Sequence, residues 1–306
     1  MNYPIYFDSK KSSHLFELND RFDFLKDLYI KNKLPNVLML SGQKGLGKST
    51  LINHLLFYIF DKNNYDVKNY NFDNKSSFYN QFLSNIFSNI IYLSGSDFKN
   101  IKIEDIRNLK SKILKTTILN KPRFIIFDDV ELFNHNSLNA LLKIIEEPNE
   151  KLFFILIHNN SKILSTLKSR CLSFKLFLSN KESLNITKKL IDGNIEDKIN
   201  LDLINYYFTP GNILRLIEFF DKTDFELKNL KLKELLKLII KEKIYKKNDN
   251  LKFIIYELIE FYLISKFILI KNNYYYYFIN QIDNIKKFNL DEESLFIEFK
   301  QRLLNE

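Results

Sequence analysis

The sequence predicts an α/β fold, a parallel sheet with helices on both faces, followed by all-α segments that fill the rest of the 306 residues. Three observations carry this reading. Short, mostly apolar runs without polar alternation recur in the first part of the chain, at residues 36–41, 89–93, 124–127 and 152–157. Strands of that kind are buried on both faces and belong to parallel sheets, because the crossover helices cover both sides. Between the runs the apolar spacing changes to the helical period, as in Leu51, Leu55, Leu56 and Ile59. Beyond Leu176 no strand alternation returns.

In chain order, Asn36-Val37-Leu38-Met39-Leu40-Ser41 reads as the first buried strand and residues 50–60 as a helix, with three of the six glycines, Gly42, Gly45 and Gly47, between them. The Asn/Asp/Lys-rich stretch at residues 61–77 reads as a loop or a poorly specified connection. Residues 89–93 form the next strand, and a helix should follow with Ile103, Ile106, Leu109 and Ile113 on its inner face. Phe124-Ile125-Ile126-Phe127 is a third strand ending in Asp128-Asp129. Residues 137–147 read as a helix closed by Pro148, residues 152–157 as a fourth strand, and residues 173–176 as a candidate fifth. Residues 181–191, 201–207 and 213–220 are short helical segments broken by Gly193 and Pro210-Gly211. From Phe225 onward the chain reads as long amphipathic helices.

Composition narrows the function classes. With 45% hydrophobic residues the chain has the material for a core. A single cysteine, Cys171, excludes an internal disulfide and a multi-cysteine zinc site, and so points to a reducing compartment. Residues 1–10 show no secretory pattern. The most apolar stretch, residues 253–270, contains Glu257, Glu260 and Lys266 and reads as a core helix rather than a membrane span. A cytoplasmic protein with no membrane contact is expected. The net charge of +9 allows a nucleic-acid partner, but Lys, Asn, Ile and Phe are also what AT-rich codons encode, and both readings stay open.

Gly42-Gln43-Lys44-Gly45-Leu46-Gly47-Lys48-Ser49 fits the phosphate-loop pattern between a strand and a helix. Glycines let backbone N–H groups converge on a polyphosphate, the helix N-terminus adds positive potential, Lys48 reaches the phosphates, and the Ser49 hydroxyl can hold Mg²⁺. Thr50 completes the ATP-binding set. Asp128 stands at the strand end where open α/β sheets bind ligands and is the second Mg²⁺ candidate. Asp129 occupies the place of the glutamate that positions water in such ATPases, one methylene shorter, which weakens the case for hydrolysis. The competing reading is a glycine turn that has lost its nucleotide.

Further residues resemble a known family. Asn139 through Pro148, after the Asp128 strand, resembles the signature of bacterial DNA polymerase III clamp-loader subunits, and Ser169-Arg170-Cys171 their Ser-Arg-Cys motif. Leu34 through Leu38 and Ile103 through Arg107 add to the likeness, which covers about residues 12–176 and weakens beyond. The resemblance implies an AAA+ P-loop domain over 1–176, an all-α lid over 177–223 and an all-α C-terminal collar over 224–306. It also implies that Arg170 acts as a finger toward the ATP of a neighbouring subunit, and that His158 sits at the γ-phosphate sensor. The competing readings are a helix-capping surface arginine and a buried, hydrogen-bonded histidine. Cys171 reads as a packed small residue, and His54 and His135 as surface or helix residues.

Within the family the delta-prime type is the closer likeness. Residues 61–88 hold no cysteine, so the zinc module of the gamma and tau motor subunits has no ligands and no zinc is expected. Ile157-His158 and Thr209-Pro210-Gly211-Asn212-Ile213-Leu214 are similar to delta-prime motifs, the latter placing Gly211 where motor subunits keep a sensor arginine. The implied partners are gamma/tau and delta subunits, with the sliding clamp and primed-template DNA reached through the complex. ATP and Mg²⁺ are the implied cofactors, with this chain's own ATPase weak or absent. The alternative is an active gamma/tau-like motor ATPase. An unrelated P-loop kinase has no place for the Asn139–Pro148 signature.

Overall fold

The long strands in the first part of the chain pair in parallel, and the central ones are apolar because helices cover both their faces. The structure is a computed structural model that describes residues 8–95, 121–146, 151–159, 163–204, 208–247, 249–266, 272–288 and 290–304. It divides into two units, Met1–Leu190 with Thr209–Gly211, and Ile191–Phe208 with Asn212–Glu306. The expected helix around Ile103–Ile113 and its Ile103–Arg107 motif lie outside the described residues, as do Glu147-Pro148, Ser161-Lys162 and Tyr207.

The first unit begins with α1 (Asn19–Ile30), β1 (Val37–Ser41) and α2 (Lys48–Phe60). A small antiparallel hairpin follows, β2 (Tyr65–Asp66) with β3 (Asn71–Phe72), then α3 (Ser77–Leu83), β4 (Ile90–Ser94) and β5 (Arg123–Asp128). Next come α4 (His135–Ile145), β6 (Leu152–His158), the single turn α5 (Ser165–Lys168), β7 (Leu172–Lys175) and α6 (Asn180–Ile191). The five long strands form one parallel sheet in the order β4-β5-β6-β1-β7. Its register pairs Ser41 with His158 and Phe127 with Leu156, so the carboxyl ends of β1, β5 and β6 lie side by side. That is the end of an open parallel sheet where ligands bind. Strand alternation sorts the core: Leu38, Leu40, Phe124, Ile126, Ile155 and Ile157 pack with α1 and α2. Met39, Ile125, Phe127 and Leu156 face Leu138, Leu141 and Ile145 of α4.

The stretch at 61–77 expected to be a loop is more ordered than that. Phe72 of β3 stacks on Phe57 of α2 with ring centroids 3.8 Å apart, and the Asp66 carboxylate accepts the backbone N–H groups of Lys68 and Asn69 to make the turn. Ser76 caps α3 by accepting from the Tyr79 N–H. The hairpin and the segment before α1 cover a side of α2 that a surface helix would leave wet. His54, read from the sequence as a surface or helix residue, is in α2 and fully buried. Its ring nitrogens lie 3.0 Å from the Tyr65 hydroxyl and 3.0 Å from the Ser12 carbonyl oxygen.

Burial holds His54 well below the usual imidazole range, at about 3. The unfolded chain takes up a proton near pH 6.5 that the native protein refuses until about pH 3, so unfolding binds protons across this window. His54 therefore leaves stability intact above about pH 6.5 and lowers it as pH falls, by at most about 1.4 kcal/mol per pH unit. Urea midpoints between pH 7.5 and 5 are expected to carry this slope, and His54→Gln is expected to flatten it. Equal slopes in the two proteins would show that His54 is not the titrating group.

The remaining elements are helical: α7 (Leu201–Ile204), α8 (Pro210–Phe220), α9 (Leu232–Lys241), α10 (Ile244–Lys247), α11 (Asp249–Ser265), α12 (Asn272–Phe288) and α13 (Glu293–Phe299). Pro210 opens α8 instead of breaking the chain before it, because a fixed φ and a missing N–H suit the first helical position. Helix α11 takes up the apolar stretch from 253 and buries Ile254, Ile255, Leu258, Ile259 and Leu263. Among the described residues no helix is long and apolar enough to cross a membrane. Lys228, Lys231, Lys241 and Lys243 are exposed, and Lys233 and Lys237 half-buried, along and beside α9.

Candidate functional site

The loop after β1 turns on Gly45 and Gly47, with φ of 88° and 86°. Gly47 is the N-cap of α2 in the left-handed region, where a side chain would collide with the backbone. The turn aims the first N–H groups of α2 at the carboxyl end of the sheet, an arrangement suited to anionic oxygen. Lys48 is buried, and its Nζ donates to the carbonyl oxygens of Gly42 at 2.8 Å and Gln43 at 2.6 Å. Burial brings its pKa down to about 8 against the opposing pull of Asp128, Glu131 and Asp129. Thr50, the third residue of α2, is half-buried.

Ser49 Oγ donates to Asp128 Oδ2 at 2.8 Å, and the Tyr92 hydroxyl donates to the same oxygen. Burial, then the neighbouring Asp129, push the Asp128 carboxyl above the usual range, and the bonds from Tyr92 and Ser49 oppose them. A hydroxyl and a half-buried carboxylate meeting at the mouth of a glycine loop form a hard oxygen donor set, which fits Mg²⁺ beside a nucleotide phosphate.

Asp129 takes a left-handed φ of 49° just past the strand end. Its Oδ2 lies 3.3 Å from Lys44 Nζ, and its Oδ1 accepts from Asn159 Nδ2 at 2.6 Å. Asn159 also donates to Glu131, from Nδ2 at 2.6 Å and from the backbone N–H at 3.3 Å. His158 is buried at the end of β6, where its carbonyl accepts the Gly42 N–H at 3.2 Å. Just past β6, the Asn159 side chain reaches the carboxylates of Asp129 and Glu131. Lys44, Tyr92, Glu131 and Asn159 complete a site that sequence reading left without them.

A distant segment meets the loop. Thr209 is buried and its Oγ1 donates to the Lys44 carbonyl at 2.7 Å, while the Gly211 N–H donates to the Gly45 carbonyl at 3.0 Å. A Cβ on Gly211 would stand 2.6 Å from Gly45 Cα, so no side chain fits there.

Arg170 follows α5 and is exposed. Its Nη1 donates to the Thr166 carbonyl at 3.0 Å and its Nη2 to Glu146 Oε1 at 2.8 Å. Cys171 donates through Sγ to the Leu167 carbonyl, and burial pushes its thiol up to about 11, which leaves no thiolate for chemistry at neutral pH. His135 opens α4 at the surface, with Nδ1 3.0 Å from Asn139 Nδ2.

Comparison with known proteins agrees with this geometry. Residues 18–179 match the family described as DNA polymerase III, delta subunit. The chain is 34% identical over 137 residues to the DNA polymerase III subunit gamma of Buchnera aphidicola subsp. Schizaphis graminum, covering 42% of this chain and 38% of that protein. It is 41% identical over 100 residues to the subunit delta-prime of the same organism, covering 32% and 30%. To the subunit delta-prime of Buchnera aphidicola subsp. Baizongia pistaciae it is 25% identical over 178 residues, covering 56% and 53%. The chain thus spans between about a third and a half of the length of these relatives, which carry both names.

Proposed function

The chain belongs to the DNA polymerase III delta-subunit family of AAA+ clamp-loader proteins, and from that premise we propose that it is a delta-prime-type subunit that assists ATP-dependent loading of a sliding clamp onto primed DNA. In this reading it assembles with gamma/tau and delta subunits through a collar at 224–306, carries a lid at 177–223, and contributes Arg170 to a neighbour's nucleotide from the domain at 1–176. It performs no nucleotidyl transfer.

One observation carries the passive role. Asp129 stands where a hydrolysing site keeps the carboxylate that positions water, and both of its oxygens are taken, one by Lys44 at 3.3 Å and one by Asn159 at 2.6 Å. A carboxylate held by two donors is oriented by them and is not free to swing onto an attacking water. In this reading Gly42, Gly45, Gly47, Lys48, Ser49 and Thr50 would hold a nucleotide weakly, with Ser49 and Asp128 as the Mg²⁺ ligands. Bound Mg²⁺ would supply charge neutralisation at the phosphates. The Ser49–Asp128 pair at 2.8 Å favours the second reading, a gamma/tau-like motor ATPase.

Co-purification with gamma/tau and delta subunits, followed by clamp loading on primed DNA, tests the proposal. A complex that needs this chain to load clamps is the expected result. Loading at full rate without it would contradict the assignment.

A further inference from the structure

We infer that Thr209, Pro210 and Gly211 form a strap that holds the phosphate loop closed from behind and restrains its admission of a nucleotide's phosphates. The inference rests on reading residues 42–49 as a phosphate loop.

Four consecutive carbonyl oxygens of that loop have partners from this chain. Those of Gly42 and Gln43 accept from Lys48 Nζ at 2.8 and 2.6 Å. That of Lys44 accepts from Thr209 Oγ1 at 2.7 Å, and that of Gly45 from the Gly211 N–H at 3.0 Å. The last two come from a segment more than 160 residues further along the chain, and its closeness is enforced by shape. Gly211 packs so tightly on Gly45 that a single added carbon would overlap the Gly45 Cα. Thr209 is 1% exposed, so water does not replace its hydroxyl bond.

The strap reaches the strand-end carboxylates through one residue. Lys44 is held at its carbonyl by Thr209 and at its ammonium by Asp129, 3.3 Å away. With Lys44 fixed at both ends, the loop cannot shift in a way that lets Lys48 exchange its two carbonyl bonds for phosphate oxygens. Freeing the Lys44 carbonyl removes one of these two anchors and leaves the sheet and α2 untouched. The threonine is thus a positioning residue, acting on the nucleotide site through the loop's backbone.

Thr209→Val keeps the shape and removes the hydroxyl, and Thr209→Ser keeps the hydroxyl, so the pair separates the hydrogen bond from packing. Two readouts apply to the full-length chain: amide hydrogen exchange across residues 42–51 without nucleotide, and titration with a fluorescent ATP analogue and Mg²⁺. Thr209→Val is expected to speed loop exchange by about five- to tenfold, as suits one buried hydrogen bond, and to tighten the analogue by a similar factor. Thr209→Ser is expected to match the wild type in both. Unchanged exchange in Thr209→Val would overturn the strap. Faster exchange with weaker analogue binding would overturn the restraint, because the strap would then be shaping the loop for its ligand. Faster exchange with no analogue bound by any of the three proteins would support the strap and overturn the nucleotide reading instead.

Discussion

Arg170→Ala in an assembled complex is expected to lower DNA- and clamp-stimulated ATP hydrolysis at the site it completes by about 10³–10⁵, the worth of an arginine finger in comparable phosphoryl transfers. The structure indicates why the residue is available for such a role. Its guanidinium is engaged by the Thr166 carbonyl and by Glu146, but Arg170 and Glu146 are 39% and 47% exposed at their side chains. Exposed contacts of this kind are worth about 0–1 kcal/mol. In the proposed role the transition-state term corresponds to about 4–7 kcal/mol, so a neighbour's γ-phosphate would win the guanidinium at small cost. Arg170→Lys is expected to be nearly as damaging, because the ammonium keeps the charge and loses the planar fork. Folding should change little, and size-exclusion chromatography verifies that the mutant complex assembles. An assembled mutant that hydrolyses ATP at the wild-type rate would leave Arg170 as the helix-capping residue that its Thr166 contact describes.

Deleting everything after Phe225 is expected to abolish assembly with the partner subunits. The helices beyond it bury a core of Leu235, Leu236, Ile239, Phe278, Phe296 and Phe299, and they still expose Ile264, Tyr276 and Ile297 by 45–62%. Apolar side chains beyond those a small helical domain buries suit an obligate interface. Pull-down of the truncated chain by its partners measures the effect directly, and a truncated chain that joins the complex would place the assembly surface in the nucleotide-binding part.

The sheet was legible because parallel strands advertise themselves: Phe124-Ile125-Ile126-Phe127 is apolar on both faces, and all four side chains are buried. The hairpin at Tyr65–Phe72 was not. Its strands are two residues each, and what orders them is the stacking of Phe72 on Phe57, a contact that no local pattern announces. The burial of His54 was not legible for a related reason, since its cover comes from Ser12 and Tyr65, outside its own helix. At the site, the glycine loop, Ser49 and Asp128 could be read because phosphate and Mg²⁺ chemistry needs those residue types at short spacing. Tyr92 reaches Asp128 only through the parallel pairing of β4 with β5. Asn159 belongs to no motif, and only the fold shows its amide in contact with Asp129 and Glu131. Thr209 lies 165 positions from the carbonyl it holds, beyond any spacing rule.

Steady-state ATP turnover by the purified chain alone, with Mg²⁺ and primed DNA present, tests the passive role most directly. With Asp129 engaged by Lys44 and Asn159, and Gly211 too close to Gly45 for any side chain, negligible hydrolysis is the expected result. Turnover near about 1 s⁻¹, within the ordinary enzyme range, would contradict it and make this chain a motor.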